Sequence, residues 1–466
     1  MSDTPSDAPW QHDASSLVEA FRSGERSPKE ELEAVFAAID RSALNALSFV
    51  DTEGAREAAA ETDASLPFGG VPIGVKELEP VVGWPQTDAS LVFADRVADH
   101  TITMVRRLED AGVVKAAQTT SSEFGGLNVS VTKLHGVTHN PWQPGRTAGG
   151  SSGGSAAVVA GGLLPIATGS DGGGSIRIPA GFCGLVGMKG TAGRIPRSPR
   201  TEIAPLTVVI GCLARSVRDV ARWFDVCSGY DARDPYSLPR LDGWEHDLGT
   251  RDLRGLRVAI APDLGSAVVR PEVEALVREV GEGMARSAGL RIVDVAVRLP
   301  GLGFEWAMAN LAQIRRVLGD RWPACKDDMT LEMAFGLDLA DKTYNLEMAA
   351  NVEQQRIEAN ECMAEVFDQV DIVMCATNPD VAFPADIALN TRVGGQSVGP
   401  ENNGALTIPA NIVGNPAISV PAGTVDGLPV GLQLLGRHHD DALLLDLARV
   451  LERDRPWPLV APGAPV

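Results

Sequence analysis

Two clusters of glycine and serine are the parts of this sequence best suited to catalysis. The first is residues 149–156 (GGSSGGSA), and the second is residues 171–177 (DGGGSIR). Glycine lets a substrate approach main-chain N–H groups closely, and three glycines before a serine can direct several N–H groups at one point. Such a cradle would stabilise the negative charge that forms on a carbonyl oxygen under attack. A flexible loop followed by a tight turn is the alternative, and either cluster alone leaves both interpretations open.

Three well-known glycine-rich motifs fit the sequence less well. The phosphate-binding pattern GxxxxGK[ST] is absent, and no GxGxxG opens a helix after a strand, which disfavours nucleotide and dinucleotide sites. Residues 149–153 match the GxSxG pattern of α/β-hydrolases, but that turn must directly follow a β-strand. Here a proline-containing loop, NPWQPGRTA, precedes it, and the candidate late histidines, His438 and His439, lie in a polar turn. An α/β-hydrolase is therefore disfavoured.

The composition is that of an acidic globular protein. Of the 466 residues, 44% are apolar and 22% are charged, and the net charge is −20. A surface this acidic disfavours binding to nucleic acid or to anionic membranes. The polar N-terminal stretch has no apolar core of a signal peptide, and the most apolar stretch is too short to span a bilayer. The six cysteines lack metal-ligand spacing, so we expect reduced thiols and a cytoplasmic protein.

Strands and helices alternate around the two clusters. A capping box at Ser27 to Glu30 predicts a helix that extends to about Asp40, and the alternation in GGVPIGVKE predicts a strand that ends at Lys76. A strand–helix–strand unit at 253–297 has the length of a parallel crossover. We therefore expect an α/β fold: a single large domain, residues 1–466, with a mixed, mostly parallel twisted sheet covered by helices on both faces. Residues from about 300 to 370 are mostly helical and are expected to form an insertion or substrate lid.

Several long segments of the chain resemble the amidase signature family. They are GGVPIGVKE, NPWQPGRTAGGSSGGSAA, ATGSDGGGSIRIPAGFCGLVGMKGTAGRIPR, GCLARSVRDVA, GYDARDP, TIPANIVGNPAISVPAG and GLPVGLQLLG, in the order of the family. The resemblance extends from about residue 20 to 453 and is weakest over 300–390. It implies the fold of that family, with a catalytic core at about 65–230.

The resemblance also implies a Ser–cis-Ser–Lys triad. Its nucleophile matches Ser175, its bridging serine on a cis peptide bond matches Ser151, and its lysine matches Lys76. A serine hydroxyl is a poor nucleophile until a base takes its proton. A lysine becomes such a base when burial drives it towards the neutral amine. Ser151 would then relay a proton between Ser175 and Lys76.

Further roles around the triad follow from the same resemblance. The backbone N–H groups of four residues would form the oxyanion hole: Gly172, Gly173, Gly174 and Ser175. The side chains of Ser152, Asp171 and Arg177 would support the site. Glu123 and Phe124 would either contact the substrate or pack beside the bridging serine. Three residues depart from the common family pattern. Ser170 and Gly172 each replace a threonine, and Glu77 replaces an aspartate. The extra glycine should loosen or widen the oxyanion loop (172–175).

The expected function is that of an enzyme, a serine amidase. It would hydrolyse a carboxylic amide to a carboxylic acid and ammonia or an amine through an acyl-enzyme on Ser175. Esters are an expected side activity, because an alkoxide leaves without needing a proton. No metal and no organic cofactor is implied. The expected partner is a small-molecule amide, with neither nucleic acid nor membrane, and a homodimer stays open.

Three alternatives remain for the function. One is the A subunit of a glutamine-dependent tRNA amidotransferase, although the arginine-bearing helix motif of that protein is not found in TLEMAFGLDLADKTYNLEMAA. Another is the branch of the family that acts on aryl, cyclic or oligomeric amides. The third is a non-catalytic binding protein on the same scaffold. Four aromatic residues are candidates to line the acyl pocket, with a place in the core as the alternative for each: Trp306, Trp322, Phe335 and Tyr344.

Overall fold

The structure is a computed structural model that describes residues 7–201, 207–300 and 304–466. Its strands are β1 (Leu47–Val50), β2 (Pro72–Lys76), β3 (Val114–Thr119), β4 (Val131–Thr132), β5 (Gly136–Val137), β6 (Ile166–Asp171), β7 (Val186–Lys189), β8 (Val209–Ala214), β9 (Arg257–Ile260), β10 (Arg291–Ile292), β11 (Ile372–Ala376), β12 (Arg392–Val393), β13 (Gln396–Ser397), β14 (Ala417–Val425) and β15 (Leu428–Gly436). Its helices are α1 (Ala14–Ser23), α2 (Pro28–Ile39), α3 (Thr52–Glu61), α4 (Thr103–Asp110), α5 (Gly153–Ala160), α6 (Arg177–Cys183), α7 (Val217–Cys227), α8 (Pro271–Ala288), α9 (Phe304–Leu318), α10 (Leu331–Thr343), α11 (Leu346–Gln369), α12 (Ile408–Val413) and α13 (Asp441–Asp454).

An eleven-stranded mixed sheet, in the order β1-β3-β2-β6-β8-β7-β14-β15-β11-β9-β10, runs through the described residues. Parallel pairs join β3, β2 and β6 near one edge and β11, β9 and β10 at the other. The strands between β6 and β11 pair antiparallel. The α/β class and the mixed sheet expected from the sequence are confirmed.

Helices cover both faces of this sheet. Successive residues of a strand point to opposite faces, and both faces carry apolar side chains that the helices bury. On β6, Ile166 belongs to one apolar core and Ala167 to the other. On β8, Cys212 and Leu213 divide in the same way. The first core holds residues of α1, α4, α7, α8 and α13, and the second holds residues of α2, α3, α5 and α6.

Two local predictions can be compared directly with the structure. The capping box is present: Glu30 N–H donates to Ser27 Oγ at 3.2 Å, and Ser27 N–H donates to Glu30 Oε2 at 2.8 Å. The strand–helix–strand unit of β9, α8 and β10 is parallel as expected, but the predicted strand LRIVDVAV is regular only at Arg291–Ile292. β10 is an edge strand and pairs only with β9, so few of its backbone groups form interstrand hydrogen bonds.

The helices α9, α10 and α11 form the segment expected to be an insertion or lid, called here the helical segment (304–369). Residues 301–303, which precede it, lie outside the described residues. This segment has an apolar core of its own, which includes Leu318, Trp322, Met333 and Leu337 and also takes in Phe93 from the loop before α4. The helices expected here are confirmed, and the role as a lid stays a prediction.

The remaining expectations concern compartment and redox state. All six cysteines carry free thiols, and every one except Cys362 is buried. Within the described ranges, none of the helices combines the length and the apolar character needed to cross a membrane. The cytoplasmic location stays a prediction.

The packing of the helical segment can be tested with two substitutions on one helix. Leu337 on α10 is fully buried, whereas Phe335 is 67% exposed. Leu337→Ala should lower the free energy of unfolding of this segment by about 2–5 kcal/mol, because it leaves a cavity. Phe335→Ala should change it by less than about 0.5 kcal/mol. Hydrogen exchange along α10 measures both effects, and equal protection in the two variants would contradict the packing described.

Candidate active site

The site lies where β2 and β6 end. These strands are parallel neighbours, with Ile73 opposite Ile166. Parallel strands bring their carboxyl ends to the same edge of a sheet. Lys76 ends β2 and Asp171 ends β6, and Lys76 N–H donates to Thr168 Oγ1 at 2.8 Å. The sheet therefore brings the lysine to the second glycine–serine cluster.

The side chain of Lys76 is fully buried and surrounded by hydroxyl groups. Its Nζ lies 2.8 Å from Ser151 Oγ, 2.9 Å from Ser152 Oγ and 3.0 Å from Ser170 Oγ. An ammonium group could donate to all three oxygens. A neutral amine has two N–H donors and one lone pair, so one hydroxyl would have to donate to it. The arrangement thus suits both protonation states of the lysine.

The burial of Lys76 brings its deprotonation close to the physiological pH range. Burial lowers the pKa of Lys76 to about 8, because water no longer stabilises the charged form. Three acidic neighbours, Glu79, Asp171 and Glu77, raise this pKa but do not offset the burial. A substantial fraction of Lys76 is therefore available as a base at mildly alkaline pH.

Ser151 and Ser152 stand at the start of α5, on the first glycine–serine cluster. The peptide bond between Gly150 and Ser151 is cis, as the resemblance implies. Glycine is required at 150, because a Cβ there would lie 2.5 Å from the main-chain nitrogen of Val129. Ser152 N–H donates to the carbonyl of Ser175 at 3.2 Å, which joins the two clusters.

Ser175 is half-buried, whereas Ser151 and Lys76 are buried behind it. Among the described residues, the Ser175 hydroxyl has no hydrogen-bond partner, so the link from Ser175 to Ser151 is not closed in this structure. Catalytic hydrogen bonds are often loose before substrate binds and tighten in the complex. The three residues of the implied triad are gathered at one place, with only the serine expected to be the nucleophile accessible.

The loop before Ser175 is held by a buried ion pair. Arg177 Nε lies 3.0 Å from Asp171 Oδ2, and both side chains are fully buried. Burial alone would raise the pKa of Asp171, but the Arg177 guanidinium holds that pKa well below its usual range. Arg177 also donates to Gln433 Oε1 and Asn411 Oδ1, each at 2.6 Å. These contacts support the bracing role expected for Asp171 and Arg177.

The four N–H groups implied for the oxyanion hole are not equivalent in the structure. Gly174 has φ 125°, which glycine readily adopts, and its N–H donates to Asp171 Oδ1 at 2.7 Å. That amide is engaged and cannot also face a substrate. In the described part of the chain, the N–H groups of Gly172, Gly173 and Ser175 have no acceptor. Of the four N–H groups expected in the oxyanion hole, that of Gly174 is therefore engaged elsewhere, and those of Gly172, Gly173 and Ser175 stay candidates.

Two site residues were not among those predicted. Ser170 supplies the third hydroxyl around Lys76 Nζ, and Thr407, just before α12, donates from its hydroxyl to the carbonyl of Gly173 at 2.7 Å. Ser170 immediately precedes Asp171 on the strand parallel to β2, so the pairing of these strands could have indicated it. Thr407 approaches from a distant part of the chain, with no local pattern to mark it.

Glu123 and Phe124 connect the core to the helical segment (304–369). Glu123 is buried, and its carboxylate accepts hydrogen bonds from Ser90 Oγ at 2.6 Å and from Thr330 N–H at 2.8 Å. Phe124 packs edge-on against Phe93, with ring centroids 6.1 Å apart. The structure thus supports the packing role for both residues, and a substrate contact stays a prediction.

The four aromatic candidates for the acyl pocket differ in position. Trp306 on α9 lies against the oxyanion loop, since a Cβ on Gly173 would be 3.0 Å from Trp306 Cη2. Trp322 is buried in the core of the helical segment, Phe335 is exposed and Tyr344 is half-buried. Trp306 is the one of the four that the structure places beside the candidate oxyanion donors.

A cavity of about 730 Å³ lies near the opposite, amino-terminal end of β2. Ser65, Pro67 and four arginine side chains contribute to its lining. The guanidinium of Arg107 donates there to the main-chain carbonyls of Cys227 and Ser228, at 2.6 and 2.9 Å. These contacts stabilise the fold, and the residues that line the cavity include none of Lys76, Ser151 and Ser175.

Comparison with known proteins now identifies the family. The family model described as Amidase matches residues 30–445. The chain belongs to the amidase family. It is 32% identical to an acylamidase of Rhodococcus erythropolis, over 95% of each chain. It is 31% identical to the A subunit of the glutamyl-tRNA(Gln) amidotransferase of Methanosarcina acetivorans, over 92% of this chain and 94% of that one.

The fold of a solved amidase signature enzyme is also similar. A bacterial aryl acylamidase of that family matches with a TM-score of 0.89 and 27% identity, over 96% of this chain and 97% of that chain. The resemblance noted in the sequence and the amidase signature fold are confirmed. Membership of the amidase family thus gives the class of reaction.

The buried ion pair behind the oxyanion loop predicts a large effect on stability. Asp171→Asn should lower the free energy of unfolding by about 3–5 kcal/mol, because Arg177 is left buried without its counter-charge. The matched control is Asp99→Asn, which breaks an ion pair with Arg200 in which both side chains are more than half exposed. That variant should unfold like the wild type. Urea denaturation checks both, and a similar midpoint for Asp171→Asn and wild type would contradict the bracing role.

Proposed function

We propose that this chain is a serine amidase in which Ser175 is the nucleophile, Ser151 the proton relay and Lys76 the base. The observation that carries the proposal is the fully buried Lys76 amine, 2.8 Å from Ser151 Oγ. Membership of the amidase family supports the class of reaction, hydrolysis of the carbon–nitrogen bond of an amide.

Acylation follows from this geometry. Neutral Lys76 accepts a proton from Ser151, which accepts one from Ser175 as the Ser175 oxygen attacks the amide carbonyl. The carbonyl oxygen becomes negative and is stabilised by the N–H groups of Gly172, Gly173 and Ser175. A single donor of this kind contributes about 3 kcal/mol to the transition state. The proton then returns through Ser151 to the leaving nitrogen, and the carbon–nitrogen bond breaks.

Deacylation uses the same groups in the same order. Water takes the place of the amine and gives a proton through Ser151 to Lys76, while its oxygen attacks the ester carbon. The ester bond breaks, Ser175 recovers its proton and the carboxylic acid leaves. Ser152 and Ser170 hold Nζ during both half-reactions, because their hydroxyls occupy its two remaining hydrogen-bonding directions.

The substrate is proposed to be an acyl amide, including aryl amides. Two relatives named for acylamidase activity support this class, and the indole of Trp306 beside Gly173 provides an apolar surface for a flat group. The A subunit of an amidotransferase is the second candidate, supported by a relative at similar identity. It would need glutamine as substrate and partner proteins.

An activity panel with matched variants tests the triad. Ser175→Ala and Lys76→Ala should each lower kcat/KM for an anilide by at least about a thousand-fold, because they remove the nucleophile and the base. Ser155→Ala is the control: Ser155 belongs to the first cluster, but its hydroxyl pairs with Thr119 Oγ1 at 2.7 Å. It should keep wild-type turnover. Activity that survives in Ser175→Ala would contradict the assignment, and turnover of glutamine alone would favour the amidotransferase candidate.

The pH dependence of the reaction should report the lysine. Because Lys76 must be neutral to accept a proton and its pKa is about 8, kcat/KM should rise with pH to a half-maximal value near pH 8. Initial rates at low substrate concentration across the alkaline range measure this profile. A rate that is already constant below neutral pH would show that the base is not Lys76.

A further inference from the structure

One buried acid close to the proposed base, Glu79, has no role in the proposed mechanism. Glu79 follows Lys76 by three residues, in a turn where its N–H donates to the carbonyl of Lys76 at 2.8 Å. The residue is 3% exposed. Within the described ranges, no main-chain N–H and no cationic side chain donates to its carboxyl, and the hydroxyl of Thr168 is the hydrogen-bonding group beside it. A buried carboxyl with so little hydrogen bonding is costly.

The other acidic groups that act on Lys76 differ from Glu79 in this respect. Asp171 is paired with Arg177. Glu77 accepts from Ser121 N–H at 2.6 Å and lies 2.8 Å from His135 Nε2. Their charges are therefore compensated locally by other groups. The Glu79 carboxyl has only the neutral Thr168 hydroxyl beside it and no cationic or main-chain donor, so its charge acts on the lysine with the least compensation.

The surroundings of Glu79 contain few other charges. Lys76 on β2 is the cation that acts on it. From α7, the buried thiol of Cys227 faces the same region, and burial raises the pKa of that thiol, which keeps it neutral. From β6, the hydroxyl of Thr168 accepts the Lys76 N–H and borders the carboxyl. Lys76 is thus the charged group that acts on the Glu79 carboxyl, and both residues are shielded from water.

We propose that Glu79 is a positioning residue for the proton of Lys76, whose uncompensated carboxyl sets the pH at which the lysine becomes a base. The inference rests on the proposed function, because it assigns Lys76 the role of base. It concerns a residue that does not touch the substrate and acts only through the lysine.

The direction of the effect follows from the charges. Burial raises the pKa of Glu79 to about 7, against the opposing influence of Thr168 and Lys76. Above that pH, the carboxylate favours the ammonium form of Lys76 and delays its deprotonation. When the carboxylate is removed, less opposes the lowering of the Lys76 pKa by burial. The neutral amine should then form at lower pH, and the enzyme should become active at lower pH.

The test uses covalent modification of Ser175, which needs no knowledge of the substrate. The second-order rate constant for a serine-directed fluorophosphonate is measured from about pH 6 to 10 in wild type and variants. In Glu79→Gln the midpoint of the rise should move to lower pH by at least about half a unit. Glu79→Met, which removes the charge without burying an amide, should show the same shift. Glu79→Asp, which keeps the charge, should stay nearer to wild type.

A matched control separates this effect from the loss of any buried acid. Asp219 on α7 is fully buried and burial raises its pKa to about 7, but its carboxylate accepts from Ala14 N–H and Ser15 N–H. Asp219→Asn should leave the midpoint unchanged. If the labelling rate of Ser175 rises with the same pH midpoint in wild type, Glu79→Gln and Glu79→Met, the inference is overturned and the proposed function is not. Absence of labelling in the wild type at every pH would overturn the proposed function and this inference with it.

Discussion

The burial of the Lys76 amine is the constraint on which the rest of the site depends. Water would keep this group charged, so a base at this position requires that water be removed and that other hydrogen-bonding groups replace it. Ser151, Ser152 and Ser170 supply the replacement oxygens within 3.0 Å. These hydroxyls can donate as well as accept, so they accommodate the amine and the ammonium alike.

That requirement explains much of the surrounding architecture. One oxygen comes from β6, which must be parallel to β2 so that both strands end at the same edge. The other two come from the start of α5, which reaches the lysine through a backbone so closely packed that position 150 admits only glycine. The loop before Ser175 is then held by the buried pair of Asp171 and Arg177. Gln433 on β15 and Asn411 on α12 bind that arginine, so the far end of the chain supports the oxyanion loop.

The sequence predicted the parts of this site that carry a local pattern. The alternation in GGVPIGVKE placed the end of β2 at Lys76, and the two glycine–serine clusters marked Ser151 and Ser175. Contacts between distant segments could not be predicted in that way. The engaged amide of Gly174 depends on where the Asp171 carboxylate points, and the hydroxyl of Thr407 arrives from more than 200 positions away along the chain. The burial of the Glu79 carboxyl without a cationic or main-chain donor is likewise a property of packing, since a glutamate after a strand is ordinarily solvated.

In the proposed function, reaction and selectivity belong to different parts of the fold. The hydroxyl cluster and the free N–H groups belong to the sheet edge and its loops, where the resemblance to the amidase family is strongest. The helical segment (304–369), where the resemblance is weakest, meets that edge through Trp306 against Gly173 and through Thr330 bound to Glu123. Changes in this segment can alter the wall beside the oxyanion loop without moving Lys76. The chain is about equally identical to an acylamidase and to a subunit of an amidotransferase, whose names denote different substrates. A reaction centre shared by such proteins, combined with a variable helical segment, would account for this.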